Sequence, residues 1–184
     1  MKQTRSQRIR LLAVTGLIAG LYAALTLLLA PLSFGPVQCR AAEALTILAA
    51  YTPAAIPGLT VGCVLSNLAG LSMGANTAGA LDVLLGPIAT GIAAWLSYRL
   101  RRYRVKGLPL WSAIPPIATN ALIVGTELAA VVTLNLSLYG WLVWVGSVAA
   151  GQLIACMGGG LLLAGMLQKT GFSTQLEQNN YTFR

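Results

Sequence analysis

At 184 residues, 57% hydrophobic and only 9% charged, with a mean hydropathy of +0.75, the chain is far more apolar than a soluble domain, which carries about 25% charged residues. Its net charge of +8 gathers in a few clusters beside apolar runs, which excludes a soluble nucleic-acid-binding face and reports membrane topology instead. The absence of histidine excludes His-based triads, HExxH zinc sites and histidine proton relays.

A basic head, 1–10, carries Lys2, Arg5, Arg8 and Arg10 and leads into an apolar run that ends at Ala30. That run is too long for the apolar region of a signal peptide and lacks an A-x-A cleavage site, so it reads as a retained first span. Within it Gly16, Gly20 and Ala24 recur every four residues, with Ala19 and Ala23 on an adjacent row. Such spacing lets another helix approach closely, and it fits either internal packing or a docking face for a partner.

Further apolar segments follow at 41–52, 56–70, 79–98, 111–134 and 140–167, separated by proline, glycine, asparagine or arginine-rich breakers. The segments at 41–52 and 56–70 are short for spans, and charge decides whether they are one element or two. Arg99, Arg101, Arg102, Arg104 and Lys106 follow the fourth segment, and the positive-inside rule puts them on the same side as the head. An even number of crossings must separate the two clusters, which rejects a fused, broken helix over 41–70. The expectation is an all-α integral membrane protein of six transmembrane helices, with one membrane domain at 11–169 and a polar tail at 170–184. Both termini are then cytoplasmic, and Arg40 is the one basic residue of twelve left outside. No repeat relates the two halves, which weighs against an inverted-repeat transporter.

This topology gives every polar residue a depth. Glu43 opens the second helix, Asn67 closes the third and Asp82 opens the fourth, while Glu127 and Gln152 lie in the outer parts of the fifth and sixth. Asn120 shares a face with Glu127 at i, i+7, and its depth depends on whether the fifth helix starts at Trp111 or at Pro116. Gln38 and Arg40 are expected to hang above, in the first outer loop. Carboxylates in hydrocarbon are costly, so such residues default to a site. Other roles stay open: Glu43 and Asp82 also suit helix N-termini, Arg40 also suits an ion pair with Glu43, and the amides also suit interhelical bonds. Tyr139, Trp141 and Trp144 suit an interfacial belt, although Trp144 heads an i, i+4, i+8 row with Val148 and Gln152 and could stack on a planar ligand.

The three cysteines, Cys39, Cys63 and Cys156, show no metal spacing and read as small packing residues. Neither a phosphate-binding GxxxxGK[ST] loop nor a nucleophile and base pair appears, so the chain reads as a non-enzyme without a cofactor. Concentrative uptake would then need a partner motor or a proton relay.

The runs PLSFGPVQCRAAEAL (31–45), AIPGLTVGCVLSNLAG (55–70) and PPIATNALIVGTEL (115–128) are similar to the queuosine-precursor transporter family, QueT. The resemblance spans nearly the whole chain and falls on Gln38, Arg40, Glu43, Asn67, Asn120 and Glu127; Cys39 departs from it. It implies an S-component of an energy-coupling factor (ECF) importer in the cell membrane. Such a subunit captures queuine or a 7-deazaguanine precursor outside and docks by its first helices on one transmembrane coupling protein and two ATPases. The chemistry of the residues agrees: three acids and one arginine suit a neutral or cationic solute, and a carboxylate accepts from both N–H groups of a guanine-like edge. The rival reading is a proton-coupled carrier of a small heterocycle, in which Glu127 or Asp82 binds protons in alternation with solute.

Overall fold

The computed structural model describes residues 5–35, 38–133 and 137–178; Lys2, Pro36, Asn135 and positions 179–184 of the tail lie outside them. The elements in order are α1 (Arg5–Leu28), a turn of helix α2 (Ala30–Ser33), a 3-10 helix (Ala41–Ala50), α3 (Ala55–Ser72) and α4 (Asp82–Leu100). A 3-10 turn (Leu110–Ala113) then leads into α5 (Ile114–Thr133). Next come α6 (Leu138–Leu153), a π-helical stretch (Ile154–Gly160), α7 (Leu161–Lys169) and α8 (Phe172–Gln178).

Five helical segments are long and apolar enough to cross a membrane: Arg5–Leu28, Ala55–Ser72, Asp82–Leu100, Leu110–Val132 and Leu138–Lys169. Many of their leucines and isoleucines face outward, as on Leu12, Leu28, Leu84 and Leu162, because these helices are apolar on all sides. The sixth expected span is the exception. Its ten residues, Ala41–Ala50, wind as a 3-10 helix, whose rise of about 2.0 Å per residue gives about 20 Å where an α-helix would give about 15 Å. The residue before it, Arg40, is ion-paired with Asp82 at the start of α4. The residue after it, Tyr51, has its ring 5.3 Å from the Arg104 guanidinium. The short element therefore runs between the same two ends of the bundle as α4. Arg10 shares a cleft with Thr52 and Leu176, and Arg101, Arg102 and Arg104 share another with Ala50 and Glu177. Both basic clusters thus lie at one end, with Asp82 at the other.

Glycine sets the tightest contacts. A Cβ added at Gly58 or Gly62 of α3 would stand 2.9 Å from the Thr15 carbonyl or 2.8 Å from the Ala19 carbonyl of α1. The close internal contact between these helices thus rests on glycines of α3, with Ala19 and Ile18 buried against them. Ala19 is internal packing and is withdrawn from the expected docking face; Ala23 is half-buried, while Gly16, Gly20 and Ala24 are exposed, with nothing within 4 Å of either glycine's missing Cβ. The π-helical stretch was not expected. It carries Gly158, Gly159 and Gly160, and its bare backbone sits on Ala44 of the 3-10 helix, so the two irregular elements pack on one another. The start of α5 falls between the two alternatives, at Ile114, with Pro115 and Pro116 in the first turn where a missing N–H costs nothing.

A buried polar cluster as the candidate functional site

The eight polar side chains singled out from the sequence are all buried, and Arg40, Asn67 and Asp82 among them meet at the end of the bundle opposite the basic clusters. Gln38 and Arg40 do not hang above the bundle; at 2% and 3% exposure they are folded into it. The backbone at Gln38 rests on Gly151 of α6, where a Cβ would collide with the Gln38 carbonyl oxygen. Cys39 beside it donates to the Gly151 carbonyl at 3.4 Å.

Glu43, in the first turn of the 3-10 helix, is 1% exposed and fully supplied with donors. The Tyr22 hydroxyl of α1 donates to Oε1 at 2.6 Å, the Thr90 hydroxyl of α4 to Oε1 at 2.7 Å, and the Thr46 hydroxyl to Oε2 at 2.9 Å. Three elements are thereby tied to one carboxylate, which satisfies a charge that would otherwise be costly to bury. Arg40 is not its partner. That guanidinium reaches across to α4, with Nη2 3.0 Å from Asp82 Oδ2, donates through Nη1 to Cys63 Sγ at 3.4 Å, and stands 5.5 Å from the centre of the Phe34 ring. Asn76 Nδ2 donates to the same Asp82 oxygen at 3.0 Å, and Asn67 Nδ2 donates to the Asp82 carbonyl. Gly86, one turn into α4, leaves the room: a Cβ there would lie 2.5 Å from both Asn67 Nδ2 and Asp82 Oδ1.

Beside this scaffold lies a set of polar atoms with no hydrogen-bond partner among the described residues. The donors are Gln38 Nε2, Arg40 Nε and Asn120 Nδ2; the acceptors are Asn67 Oδ1, Asp82 Oδ1 and both oxygens of Glu127. Glu127 projects from α5 at 4% exposure, close enough to Asp82 and Arg40 to interact electrostatically with both. Asn120 lies two turns earlier, about 10.5 Å along the same face of α5. Buried polar groups in a folded protein are nearly always paired, so these bare donors and acceptors call for partners that the described residues do not supply, from buried water or from a bound solute.

Two expected members play lesser parts in this geometry. Gln152 is buried, and its Oε1 accepts from Cys156 at 3.5 Å. Trp144 is half-buried and packs on the apolar cluster of Ala89, Val124, Leu128 and Val148, while Trp141 donates to the Thr126 hydroxyl at 2.9 Å. Sequence reasoning missed Tyr22, Thr46, Thr90, Asn76 and Gly86. Tyr22 carried a signal, since a tyrosine in the middle of a span sits away from the interfacial belt and needs a partner for its hydroxyl. Thr90 carried another, eight residues after Asp82 on the same helical face. Among the described residues no group of three or more His, Cys, Asp or Glu could hold a metal ion.

A family model described as QueT transporter matches residues 12–169. No curated protein and no solved structure matches the chain.

Proposed function

The chain belongs to the QueT transporter family, and from that membership we propose that it is the substrate-capturing S-component of an ECF importer for queuosine precursors. It is a multi-pass membrane protein. In the proposed topology the 3-10 helix completes six crossings, the basic end with both termini faces the cytoplasm, and the polar cluster lies in the outer half. Queuine or a 7-deazaguanine enters there. Exposed Gly16, Gly20 and Ala24 of α1 offer the surface on which the coupling protein, with its two ATPases, docks to drive release inside.

The observation that carries this reading is the bare carboxylate of Glu127. A guanine-like ring presents two adjacent N–H donors, from its ring nitrogen and its exocyclic amine, and a carboxylate with both oxygens free accepts both in parallel. Gln38 and Asn120 bring amide donors for the ring carbonyl and an acceptor nitrogen. Asp82 is neutralised by Arg40, which leaves no unpaired positive charge in the cluster to hold an anionic solute. Equilibrium binding of an aminomethyl-deazaguanine to the purified chain, without partners, tests the reading. Binding by the parent and a loss in Glu127→Gln are expected; a parent that binds no deazaguanine overturns it.

A further inference from the structure

Two of the bare acceptors belong together. Asn67, in the last turns of α3, and Asp82, at the start of α4, are both fully buried. The Asn67 Nδ2 donates to the Asp82 backbone carbonyl, and turning the amide over would set its oxygen against another oxygen, so the orientation is fixed. Its Oδ1 is thereby held away from that carbonyl, with no donor of its own among the described residues. The Asp82 carboxylate is likewise engaged on one side alone. Oδ2 accepts from Arg40 Nη2 and from Asn76 Nδ2, both at 3.0 Å, while Oδ1 accepts from neither. Oδ1 and the Asn67 amide close on the bare backbone of Gly86, where a Cβ would stand 2.5 Å from Oδ1 and from Asn67 Nδ2. The two unpaired acceptors therefore border one small space.

What such a pair takes follows from what it lacks. Both atoms only accept, so a carbonyl, a nitrile or a phosphate gains nothing there, and a group made of N–H donors gains most. A primary ammonium is such a group, with three donors and no acceptor. Its charge is met by Asp82, because the Arg40 guanidinium sits on the Oδ2 side and the carboxylate stands between the two cations. The bond to Oδ1 is then charge-assisted, which makes it one of the stronger hydrogen bonds a protein offers.

We propose that Asn67 Oδ1 and Asp82 Oδ1 form an ammonium subsite, which selects a solute by its substituent and is separate from the ring edge read at Glu127. The subsite rests on the deazaguanine reading given above and narrows it. A ring that carries an aminomethyl group is preferred, and one that carries a cyano group, which only accepts, is disfavoured.

The test compares three ligands that share one ring, 7-aminomethyl-, 7-hydroxymethyl- and 7-cyano-7-deazaguanine, by equilibrium binding to the full purified chain. The aminomethyl compound should bind about ten- to a hundredfold more tightly than the cyano compound, the range that one charge-assisted hydrogen bond gives, with the hydroxymethyl compound between them. Asp82→Asn should remove that preference. Arg40 and Asn76 hold its amide oxygen at the Oδ2 position, which puts an NH₂ group where Oδ1 stood. Glu127→Gln should weaken all three ligands and leave their ratios as in the parent, because it acts on the shared ring. If Asp82→Asn does not fold, the ligand series on the parent decides by itself. Equal binding of the three by the parent overturns the subsite, leaves the ring reading in place and makes an ordered water the partner of the two acceptors. A preference for the cyano compound also overturns it, as does a folded Asp82→Asn that keeps the parent ratios. Ratios that collapse in Glu127→Gln alone would put the ammonium at Glu127 instead. A parent that binds none of the three overturns the deazaguanine reading and the subsite with it.

Discussion

Glu43 and Glu127 are buried to nearly the same extent, at 1% and 4% exposure, yet their surroundings are opposite. Glu43 receives three hydroxyl hydrogen bonds from α1, the 3-10 helix and α4. Glu127 receives none on either oxygen. Burial alone therefore does not locate a binding site in this bundle. A carboxylate saturated by its own chain holds helices together, and one left bare is available to a ligand, since a buried acceptor gains most from the partner it lacks. Asp82 lies between the two cases, with Oδ2 engaged by Arg40 and Asn76 and Oδ1 unpaired.

The strongest way to break this contrast is to turn a supported carboxylate into a bare one. Arg40→Met removes the guanidinium from Asp82 and from Cys63 while keeping some of the packing on Phe34. Leaving one partner of a buried ion pair behind costs about 3–5 kcal/mol, so a pronounced drop in thermal stability of the purified chain is expected. If Arg40→Met unfolds like the parent, Asp82 never depended on the pair, and supported and bare acids do not differ energetically here.

Glu43→Gln comes next. The amide oxygen can keep part of the network, but its NH₂ points a donor at hydroxyls that were themselves donating, so about 3 kcal/mol of stability should be lost. Affinity for an aminomethyl-deazaguanine, measured on the fraction that remains folded, should fall less than in Glu127→Gln. Glu127→Gln should show the reverse pattern. Losing a charge-assisted bond pair lowers ligand affinity by about 1.5–3 kcal/mol, roughly ten- to a hundredfold, while the unliganded protein unfolds at the parent temperature or slightly above it. Equal stability losses in the two variants would erase the distinction on which the site assignment rests.

Much of this was legible in the chain. Hydropathy located the long helices, and the charge clusters at Arg5–Arg10 and Arg99–Lys106, which called for an even number of passes between them, lie at one end of the bundle; five helices are long and apolar enough to cross, and only in the proposed topology does the 3-10 helix add the remaining pass. The polar residues were also legible as a group, because a carboxylate or amide in an apolar run has no local excuse. Their pairing was not. Arg40 had Glu43 three residues away, yet it pairs with Asp82 forty-two residues on, and the hydroxyl on Glu43 comes from Tyr22, twenty-one residues back. Helical spacing predicts only neighbours on one element, whereas here the bundle brings four elements together. The small-residue stripes failed for a related reason: Gly16 and Gly20 of α1 share their spacing with Gly58 and Gly62 of α3, and spacing does not say which stripe faces inward. The π-helical stretch was hidden because three successive glycines read as a breaker, when their bare backbone lets α6 and α7 continue against Ala44.

The smallest expected effect sharpens the comparison most, because it removes a single oxygen. Tyr22→Phe keeps the ring packed between α1 and α3 and deletes only the hydroxyl that donates to Glu43 Oε1 at 2.6 Å. Thr90 still donates to the same oxygen at 2.7 Å and Thr46 to the other at 2.9 Å, so the carboxylate is never left bare. The cost should be that of one hydrogen bond to a charged acceptor with a second donor in place, about 1–1.5 kcal/mol of stability. Ligand affinity should stay at the parent value, because Tyr22 acts only within the supported network. Thermal unfolding and equilibrium binding on the same preparation read both quantities at once. A tenfold loss of affinity with unchanged stability would show that the Glu43 network touches the solute directly, and the roles of the two carboxylates would then be exchanged.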